Sequence, residues 1–446
     1  MRVLRAPARL NILGEHVDYV SYLPTASLPF GSHEHAMLLL WRPRADGQVR
    51  GASTNEAFAP FAFALKEGSV GARSWEAWLE QQAPPTAHWS NYVRGACFFA
   101  QWQQGEPLAN GFDFLIDSAI PPRGGSSSSS ALTVLAGAAL RRANQIEYTP
   151  AQLAKDSSQA EWYCGTRGGA LDHTAICLAQ RGQALWLSYA DGAVQALPLL
   201  NEKYRWVTCF SHAADKGSRV LLEYNERAVV ARVLLPALLA DLQQHRAGFA
   251  QSWQTAVAQL HAGEAAAFAA LAECLNELPP VITLAEFARH YPQAAAECAR
   301  LFPALVRERR DALVKLADRA RHHLGEIERV NAAVKLLQTA ADDEATTARA
   351  LGALINASHD SLRDLYEVST PEVESLRNVL LADPQVYGAR LMGGGFGGVV
   401  LALTTQENVS RLLERVQREW YEPRGRDGVA EGAMLVSTPG TGLMEL

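Results

Sequence analysis

The spacing of apolar residues changes character along the chain. Short apolar runs at residues 37–41 (MLLLW) and 184–189 (ALWLSY) predict β-strands in the first half. From about residue 225 to 351 the chain is rich in Ala, Leu, Glu and Arg, and apolar residues recur at i, i+3 and i+4. This spacing predicts a series of helices, most clearly at residues 316–337. The pattern returns to strand, glycine turn and strand at residues 386–403.

This order of elements predicts an α+β fold with two lobes, in which mixed sheets pack against helices. The change of pattern places the boundary between the lobes near residues 205–225. We therefore expect an N-terminal domain at residues 1–210 and a C-terminal domain at residues 211–446. The second domain is expected to be helical at first and then to end in a small α+β part that carries the glycine-rich segment 393–398.

Composition narrows the class of protein. The chain has 446 residues, of which 48% are hydrophobic and 20% charged, as is typical of a globular enzyme with a large core. A net charge of −6 argues against nucleic acid or an anionic membrane as the partner. We find no apolar run of the roughly 18 residues that span a bilayer, and no signal peptide. The six cysteines show no paired spacing, so we expect free thiols and a cytoplasmic protein.

A loop rich in glycine and serine spans residues 121–132 (PPRGGSSSSSAL). It follows an alternating, strand-like segment, FDFLIDSAI, and runs into a strong helix former at residues 131–142. Glycines allow close backbone approach to an anion, and the first turn of a helix offers unpaired N–H groups. Serine hydroxyls add donors to phosphate and oxygen ligands for Mg²⁺. The loop is no Walker A motif, because Gly-Lys-Ser/Thr is missing, and a flexible linker is the alternative interpretation.

Two further segments present carboxylates after a glycine. Residues 9–19 (RLNILGEHVDY) end an apolar strand in Glu15, His16 and Asp18, which suit the hydroxyls of a polyol, although a charged surface turn is the alternative. Residues 165–173 (GTRGGALDH) present Asp172, which is able to accept a proton from an attacking hydroxyl.

Two carboxylates belong to this second region, and one of them, Asp172, has an alternative interpretation. Glu161 lies on a preceding helical segment and is placed to complete a Mg²⁺ site with a loop serine. Asp172 is alternatively only the cap of a helix that begins near Thr174. The segment 393–398 (GGGFGG) permits close backbone approach to a ligand or to another loop, or is simply a tight turn between two strands.

The order of these segments resembles the galactokinase branch of the GHMP small-molecule kinases. Residues 9–18 are similar to its signature Gly-Arg-Val-Asn-Leu-Ile-Gly-Glu-His-Thr-Asp-Tyr, with Ala8 in place of the first glycine. The other matches follow in family order, and they are residues 88–95 (HWSNYVRG), 319–326 (RARHHLGE), 358–369 (SHDSLRDLYEVS) and 387–398 (YGARLMGGGFGG).

The resemblance implies a two-lobed GHMP kinase fold with the active site in the cleft between the lobes, and an enzyme that uses ATP and Mg²⁺. It implies that Asp172 and Arg9 are catalytic, and that the residues contacting the sugar are Glu15, His16, Asp18, Gly169 and Tyr224. The residues implied to bind the nucleotide are Trp89, Gly124, Gly125, Ser127, Ser128 and Ser129, and those implied to hold the metal are Ser128 and Glu161. We expect a monomer whose partner is a small sugar, without nucleic acid or membrane.

The sequence also departs from the family pattern. Arg123 stands where a glycine is usual, Ser126 where a leucine is usual, and His173 where a glutamine is usual. These departures keep open a second hypothesis, namely a sugar-sensing regulator without turnover, although Arg9, Glu161 and Asp172 are retained.

The resemblance also bears on the sugar. Glu15 and His16 favour a hexose with a 6-hydroxyl, so galactose phosphorylated at its anomeric 1-hydroxyl is the first choice. N-acetylgalactosamine is the second choice, because four local features resemble its kinases: the Gly-Thr-x-Gly-Gly pattern before Asp172, Tyr22, the serine run, and the spacing of Glu161 from Asp172. Other sugars remain as further alternatives.

Overall fold

A computed structural model describes the chain except Ser69 and residues 83–87, 122–124, 166–167, 214–217, 340–342 and 429–431. In the described part, the strands in chain order are β1 (Arg2–Asn11), β2 (Ala26–Ser27), β3 (Pro29–Arg44), β4 (Gln48–Ser53), β5 (Phe61–Ala64), β6 (Gly111–Ser118), β7 (Gln183–Ser188), β8 (Val194–Pro198), β9 (Tyr204–His212), β10 (Val281–Thr283), β11 (Leu313–Lys315), β12 (Val386–Met392), β13 (Gly398–Thr405), β14 (Met434–Ser437), β15 (Pro439–Gly440) and β16 (Met444–Glu445).

Helices make up most of the remaining regular structure. Those in the described residues are α1 (Trp75–Glu80), α2 (Ser90–Gln104), α3 (Ser128–Ala143), α4 (Pro150–Ala160), α5 (Leu171–Leu178), α6 (Ser218–Val229), α7 (Leu235–His245), α8 (Phe249–His261), α9 (Ala266–Leu275), α10 (Leu284–His290), α11 (Pro292–Leu301), α12 (Pro303–Glu308), α13 (Leu316–Gln338), α14 (Glu344–Asp364), α15 (Pro371–Leu381) and α16 (Val409–Val416). A π-helical turn, Val230–Leu234, joins α6 to α7, and a 3₁₀ turn, Glu161–Cys164, follows α4. No helix in these ranges combines the length and apolar character that a bilayer crossing requires.

Several helices begin at caps that the sequence supplies. Thr149, Thr283 and Thr370 each accept a hydrogen bond from the backbone N–H three residues further on. Pro150 and Pro371 occupy the first helical position, where a missing N–H costs nothing. These local signals fix the starts of α4, α10 and α15.

Two sheets organise the described part of the molecule. The larger has the order β16-β1-β3-β6-β4-β5, with β15 also paired to β3, and only β4 and β6 run parallel in it. The smaller has the order β12-β13-β9-β14 and is antiparallel. The first core lies between the larger sheet and α2, α3 and α4, and a second core fills the helical region around α7, α8, α9 and α13.

The mixed α+β fold predicted from the sequence is confirmed, with longer elements than the apolar runs alone indicated. The strand predicted at residues 37–41 is the centre of β3, and the helix predicted at residues 131–142 begins three residues earlier, in the serine run. Strands from the two sides of the predicted boundary at residue 210 pair with each other. Strand β9 pairs with β13 and β14 in the smaller sheet, and the late strands β15 and β16 pair with β3 and β1 in the larger sheet. The domain boundary at residue 210 stays a prediction.

The smaller sheet and α14 approach each other through two glycines. A Cβ added to Gly352 of α14 would lie 2.5 Å from the carbonyl carbon of Tyr387 in β12, and Gly388 faces Gly352 in the same crossing. These backbone atoms, unlike a side chain, cannot rotate away from the added methyl group. The crossing therefore depends on the missing side chains.

We predict that Gly352→Ala lowers the free energy of unfolding by about 1–3 kcal/mol, because the new methyl group forces α14 away from β12. The matched control is Gly137→Ala in α3, where the added Cβ would meet only side-chain atoms, at 3.3 Å or more. In α3 the higher helix propensity of Ala, about 1 kcal/mol, offsets the cost of moving these side-chain atoms slightly. Urea unfolding followed by circular dichroism measures both variants, and equal stabilities would contradict the prediction.

Candidate active site

One cavity of about 280 Å³ gathers residues from distant parts of the chain. The residues that line it are Arg9, Glu15, His16, Asp18, Tyr19, Ser130, Ser158, Glu161, Trp162, Gly168, Gly169, Leu171, Asp172, His173, Tyr224, Gly393 and Gly394. Among them are the sequence-predicted site residues Arg9, Glu15, His16, Asp18, Glu161, Gly169, Asp172 and Tyr224. The fold thus brings both carboxylate segments and the glycine-rich segment 393–398 to one place.

Arg9 and Asp172, which both line this cavity, form an ion pair. Nε and Nη2 of Arg9 lie 2.7 and 2.6 Å from Oδ1 of Asp172. Burial opposes the ionisation of Asp172, but Arg9, with help from Ser127, outweighs burial and lowers the pKa of the carboxyl group. Asp172 is therefore ionised at neutral pH.

The alternative role of Asp172 as a helix cap is not supported. Helix α5 begins at Leu171, with Ala170 in the capping position, so Asp172 lies inside the first turn. A carboxylate there interacts favourably with the positive end of the helix dipole. Its side chain is directed to Arg9 at the end of β1, and not to the backbone of its own helix.

Asp18 lies against the backbone of Gly169 on one side of the cavity. A Cβ at Gly169 would be 2.6 Å from the carboxyl carbon of Asp18, so a larger residue would displace this carboxylate. Burial, with a contribution from Asp172, raises the pKa of Asp18 to about 6, while Arg232 opposes the rise. Asp18 is thus a carboxylate whose charge changes close to physiological pH.

Glu15 is held by a buried network that its own segment does not supply. Arg390 forms a fully buried ion pair with Oε2 of Glu15, and the backbone N–H of Gly393 donates to the same oxygen at 3.1 Å. Glu326 accepts hydrogen bonds from the N–H groups of Gly14 and Glu15, at 2.9 and 3.2 Å. Although burial works against its charge, Arg329 is the main cause that lowers the pKa of Glu326 to about 2.

His16 and Tyr224 form an aromatic wall beside these carboxylates. Their ring centroids lie 5.9 Å apart. His16 is 5% exposed and has a φ of +59°, a left-handed conformation that is uncommon outside glycine. Burial, together with nearby His322 and Arg227, lowers the pKa of His16 well below its ordinary value, so the ring is neutral. Strain of this kind is characteristic of functional sites.

The serine run forms the start of α3 beside the cavity. Ser127 has a φ of +62° at the position before the helix, and the carbonyl of Ser126 accepts from the N–H of Arg9 at 3.3 Å. Gly125, with a φ of +75°, packs against the backbone of Gly393, so the two glycine-rich segments touch. In the described part of the loop, Gly125, Ser127, Ser128 and Ser129 do not line the cavity itself. Gly124 and Arg123 lie outside the described residues.

Glu161 is the carboxylate nearest to this helix start. Its Oε2 accepts a hydrogen bond from Ser130 at 2.9 Å and lies 2.8 Å from Nε2 of His173. The sequence resemblance implied that Ser128 shares a metal site with Glu161. In the structure, Ser130 is the serine that contacts Glu161. The described residues contain no group of three acidic, His or Cys side chains able to hold a metal ion by themselves. One carboxylate with hydroxyl groups nevertheless suits Mg²⁺, which binds through one or two carboxylates, water and phosphate.

Trp89 lies apart from the cavity, just before α2. Its ring packs edge-on against Phe61 and Phe58, and its indole N–H donates to the carbonyl of Ala59 at 2.9 Å. The residue is partly exposed, so one side of this aromatic group is accessible.

Sequence reasoning missed the residues that fix Glu15. Arg390 lies in an apolar strand, and a charged residue there needs a buried partner, which is the signal that could have identified it. Glu326 was part of a recognised motif, yet two of its partners are backbone N–H groups more than 300 positions away, which no local pattern indicates.

Comparison with known proteins identifies the family to which this chain is similar. Family models match at residues 91–180 (GHMP kinases N terminal domain), 333–422 (GHMP kinases C terminal) and 2–26 (galactokinase galactose-binding signature). The galactokinase of Homo sapiens is 30% identical over 424 residues, which cover 93% of this chain and 86% of that protein. The galactokinase of Chloroflexus aurantiacus is 29% identical and covers 99% of this chain, and 93% of its own length is matched.

Solved structures agree with the sequence comparison. The crystal structure of Lactococcus lactis galactokinase complexed with galactose has a TM-score of 0.70 at 26% identity, over 100% of this chain and 95% of that one. The mevalonate kinase of Methanococcus jannaschii, with a TM-score of 0.55 at 13% identity over 94% of this chain and 95% of that one, shares the fold alone. The galactokinase of Homo sapiens is 30% identical and matched over most of both chains, and the three family models match successive parts of this chain. The chain therefore belongs to the galactokinase family of the GHMP kinases.

Proposed function

We propose that this protein is an ATP-dependent galactokinase, which transfers the γ-phosphoryl group of ATP to the anomeric 1-hydroxyl of galactose. The observation that carries the proposal is the ion pair between Arg9 and Asp172, which lies in one cavity with Glu15, His16 and Asp18. The galactose-complexed structure of the Lactococcus lactis relative supports galactose as the sugar.

The reacting hydroxyl is placed beside Asp172 in this proposal. The ionised carboxylate orients the 1-hydroxyl and accepts its proton, while the hydroxyl oxygen forms a bond to the γ-phosphorus and the bond to ADP breaks. Nη1 of Arg9 is buried and has no hydrogen-bond partner among the described residues. It is therefore available to a phosphoryl oxygen, where it stabilises developing negative charge.

The sugar is held by acceptors and donors that suit its hydroxyls. Glu15 and Asp18 accept hydroxyl protons, and His16 and Tyr224 supply aromatic and polar contacts beside them. Because any side chain at Gly169 would collide with Asp18, the glycine allows this carboxylate to keep its place in the cavity wall. This arrangement favours a neutral polyol over an anionic substrate, because carboxylates surround the site.

The nucleotide is placed at the start of α3 in this proposal. The N–H groups of this helix start and the hydroxyls of Ser127, Ser128 and Ser129 suit phosphate oxygens, and Gly125 allows close backbone approach. The aromatic surface at Trp89 suits the adenine. Gly124 stays a prediction from the sequence. Glu161, with Ser130 or Ser128, suits a Mg²⁺ ion, which when bound neutralises charge on the triphosphate. The two-domain division, a monomeric state, a cytoplasmic location and the lack of nucleic-acid or membrane partners stay predictions.

We expect ATP consumption to depend on galactose in a coupled assay, with lower kcat/KM for N-acetylgalactosamine, arabinose and galacturonate. A larger kcat/KM for N-acetylgalactosamine than for galactose would reassign the sugar. Binding of both ATP and galactose without turnover on any of the four sugars would support the regulator and contradict the kinase.

We predict that Asp172→Asn lowers kcat by about 10²–10⁴-fold while galactose still binds, because the amide keeps the shape of the side chain and loses the proton acceptor. Steady-state kinetics and calorimetric titration with galactose measure the two properties separately. Asp311→Asn, at an exposed carboxylate, is the matched control and should behave as the parent protein. Near-normal kcat in Asp172→Asn would leave the carboxylate with a structural role only.

The pKa of Asp18 predicts a pH dependence. Below about pH 6 this carboxyl group becomes protonated and ceases to accept two hydroxyl protons, so kcat/KM for galactose should fall as the pH is lowered. We expect a decrease of about tenfold between pH 7 and pH 5, which is what one group titrating near pH 6 produces. Asp18→Asn should have a low kcat/KM at pH 7 and should lack this step. A flat profile for the parent protein over this range would contradict the role of Asp18.

A further inference from the structure

A chain of hydrogen bonds leads away from the cavity through the helical region. Nδ1 of His16 lies 2.7 Å from the hydroxyl of Tyr19, which lies 3.2 Å from the hydroxyl of Tyr366. That hydroxyl lies 3.1 Å from Nε2 of His323, whose Nδ1 lies 2.8 Å from the hydroxyl of Tyr22. We call these five residues the relay. It begins at a wall of the cavity and ends at a partly buried tyrosine outside it.

Both histidines of the relay are neutral. Burial lowers the pKa of His16 and of His323 well below the ordinary value, and nearby His322 lowers both further. Arg227 adds to this effect at His16, and Arg319 adds to it at His323. Tyr22 keeps its proton, because burial raises its pKa well above the ordinary value. A neutral imidazole has one N–H donor and one acceptor nitrogen, so each histidine passes the direction of hydrogen bonding from one side of its ring to the other.

The relay therefore has two possible directions. In the inward direction Tyr22 donates to His323, His323 to Tyr366, Tyr366 to Tyr19, and Tyr19 to Nδ1 of His16. His16 then carries its proton on Nε2. In the outward direction every bond is reversed, Nε2 of His16 is a bare acceptor, and the proton of Tyr22 has no acceptor among the described residues.

Two observations favour the inward direction. It uses the proton of Tyr22 in a partly buried contact with His323, where a donor left without a partner costs free energy. It also supplies what the cavity needs. Nε2 of His16 is buried without a partner in the described structure, and the neighbouring carboxylates, Glu15 and Asp18, only accept. A sugar hydroxyl that donates to a carboxylate still offers its oxygen, which an N–H donor at His16 satisfies.

We propose that Tyr22, which does not line the cavity, is a positioning residue that fixes the tautomer of His16 through the relay, so that Nε2–H donates to the 6-hydroxyl of the sugar. This inference rests on the proposed function for the identity of the sugar. Tyr22→Phe removes the proton that starts the relay and leaves the ring in place. Tyr291→Phe is the matched control, because its hydroxyl bonds Asp241 at 3.3 Å and its ring packs against the same hydrophobic core.

Steady-state kinetics test the consequence for the sugar. We expect Tyr22→Phe to raise KM for galactose about two- to tenfold, the size of one net hydrogen bond, with kcat nearly unchanged. With 6-deoxygalactose the same variant should match the parent protein, and Tyr291→Phe should match it with both sugars. An equal rise for 6-deoxygalactose would indicate a general disturbance of the cavity and would overturn the proposal.

The tautomer itself is measured by ¹⁵N NMR of histidine-labelled protein, with the His16 signal assigned from His16→Gln. We expect Nε2–H in the parent protein and a shift toward Nδ1–H in Tyr22→Phe. A parent His16 that is protonated or carries its proton on Nδ1, or a tautomer that Tyr22→Phe leaves unchanged, overturns the proposal. This measurement needs no turnover, so a failure of the parent protein to phosphorylate galactose would count against the proposed function alone.

Discussion

The buried carboxylate of Glu326 is the interaction on which the site depends. It accepts hydrogen bonds from the N–H groups of Gly14 and Glu15 and from the hydroxyl of Ser358, so three distant segments meet at one side chain. Arg390 contacts both Ser358 and Glu15 and extends the network to the glycine-rich turn. The buried ion pair between Arg390 and Glu15 contributes little net stability, because the cost of desolvation cancels most of the attraction. Once formed, however, the pair fixes the position of both side chains. The position of Glu15 is thus determined by the whole fold and not by its own loop.

The carboxylates around the cavity differ in role because they differ in neighbours. Asp172 has Arg9 at hydrogen-bonding distance and stays ionised despite burial. For Asp18, burial and the charge of Asp172 outweigh the opposing effect of Arg232 and raise the pKa to about 6. One residue type therefore supplies a permanent proton acceptor and, close by, an acceptor whose charge depends on pH. Among the neighbours that lower the pKa of Asp172, Arg9 near the end of β1 has the largest effect.

The parts of the structure that local chemistry determines could be predicted from the sequence. Apolar spacing identified the long helices, and glycine followed by carboxylates identified both segments that carry Asp18 and Asp172. What the sequence could not indicate is which groups meet across the fold. The contact of Ser130 with Glu161, the start of α5 at Leu171 and the return of the last strands to the first sheet all result from tertiary packing. Arg390 shows the limit most clearly, since its meaning depends on a partner 375 positions away.

The same limit applies to reading the sugar from local resemblance. Tyr22 was one of the features similar to N-acetylgalactosamine kinases, yet its hydroxyl is directed to His323 and it does not line the cavity. Its influence on the sugar has to pass through His16, whose neutral ring presents one polar atom to a hydroxyl. Such a hydrogen bond depends on which nitrogen of His16 carries the proton. An acetamido group at another position of the sugar ring does not affect it. The feature therefore bears on how the protein holds a hexose, whereas discrimination at the second carbon depends on the residues that line the cavity itself.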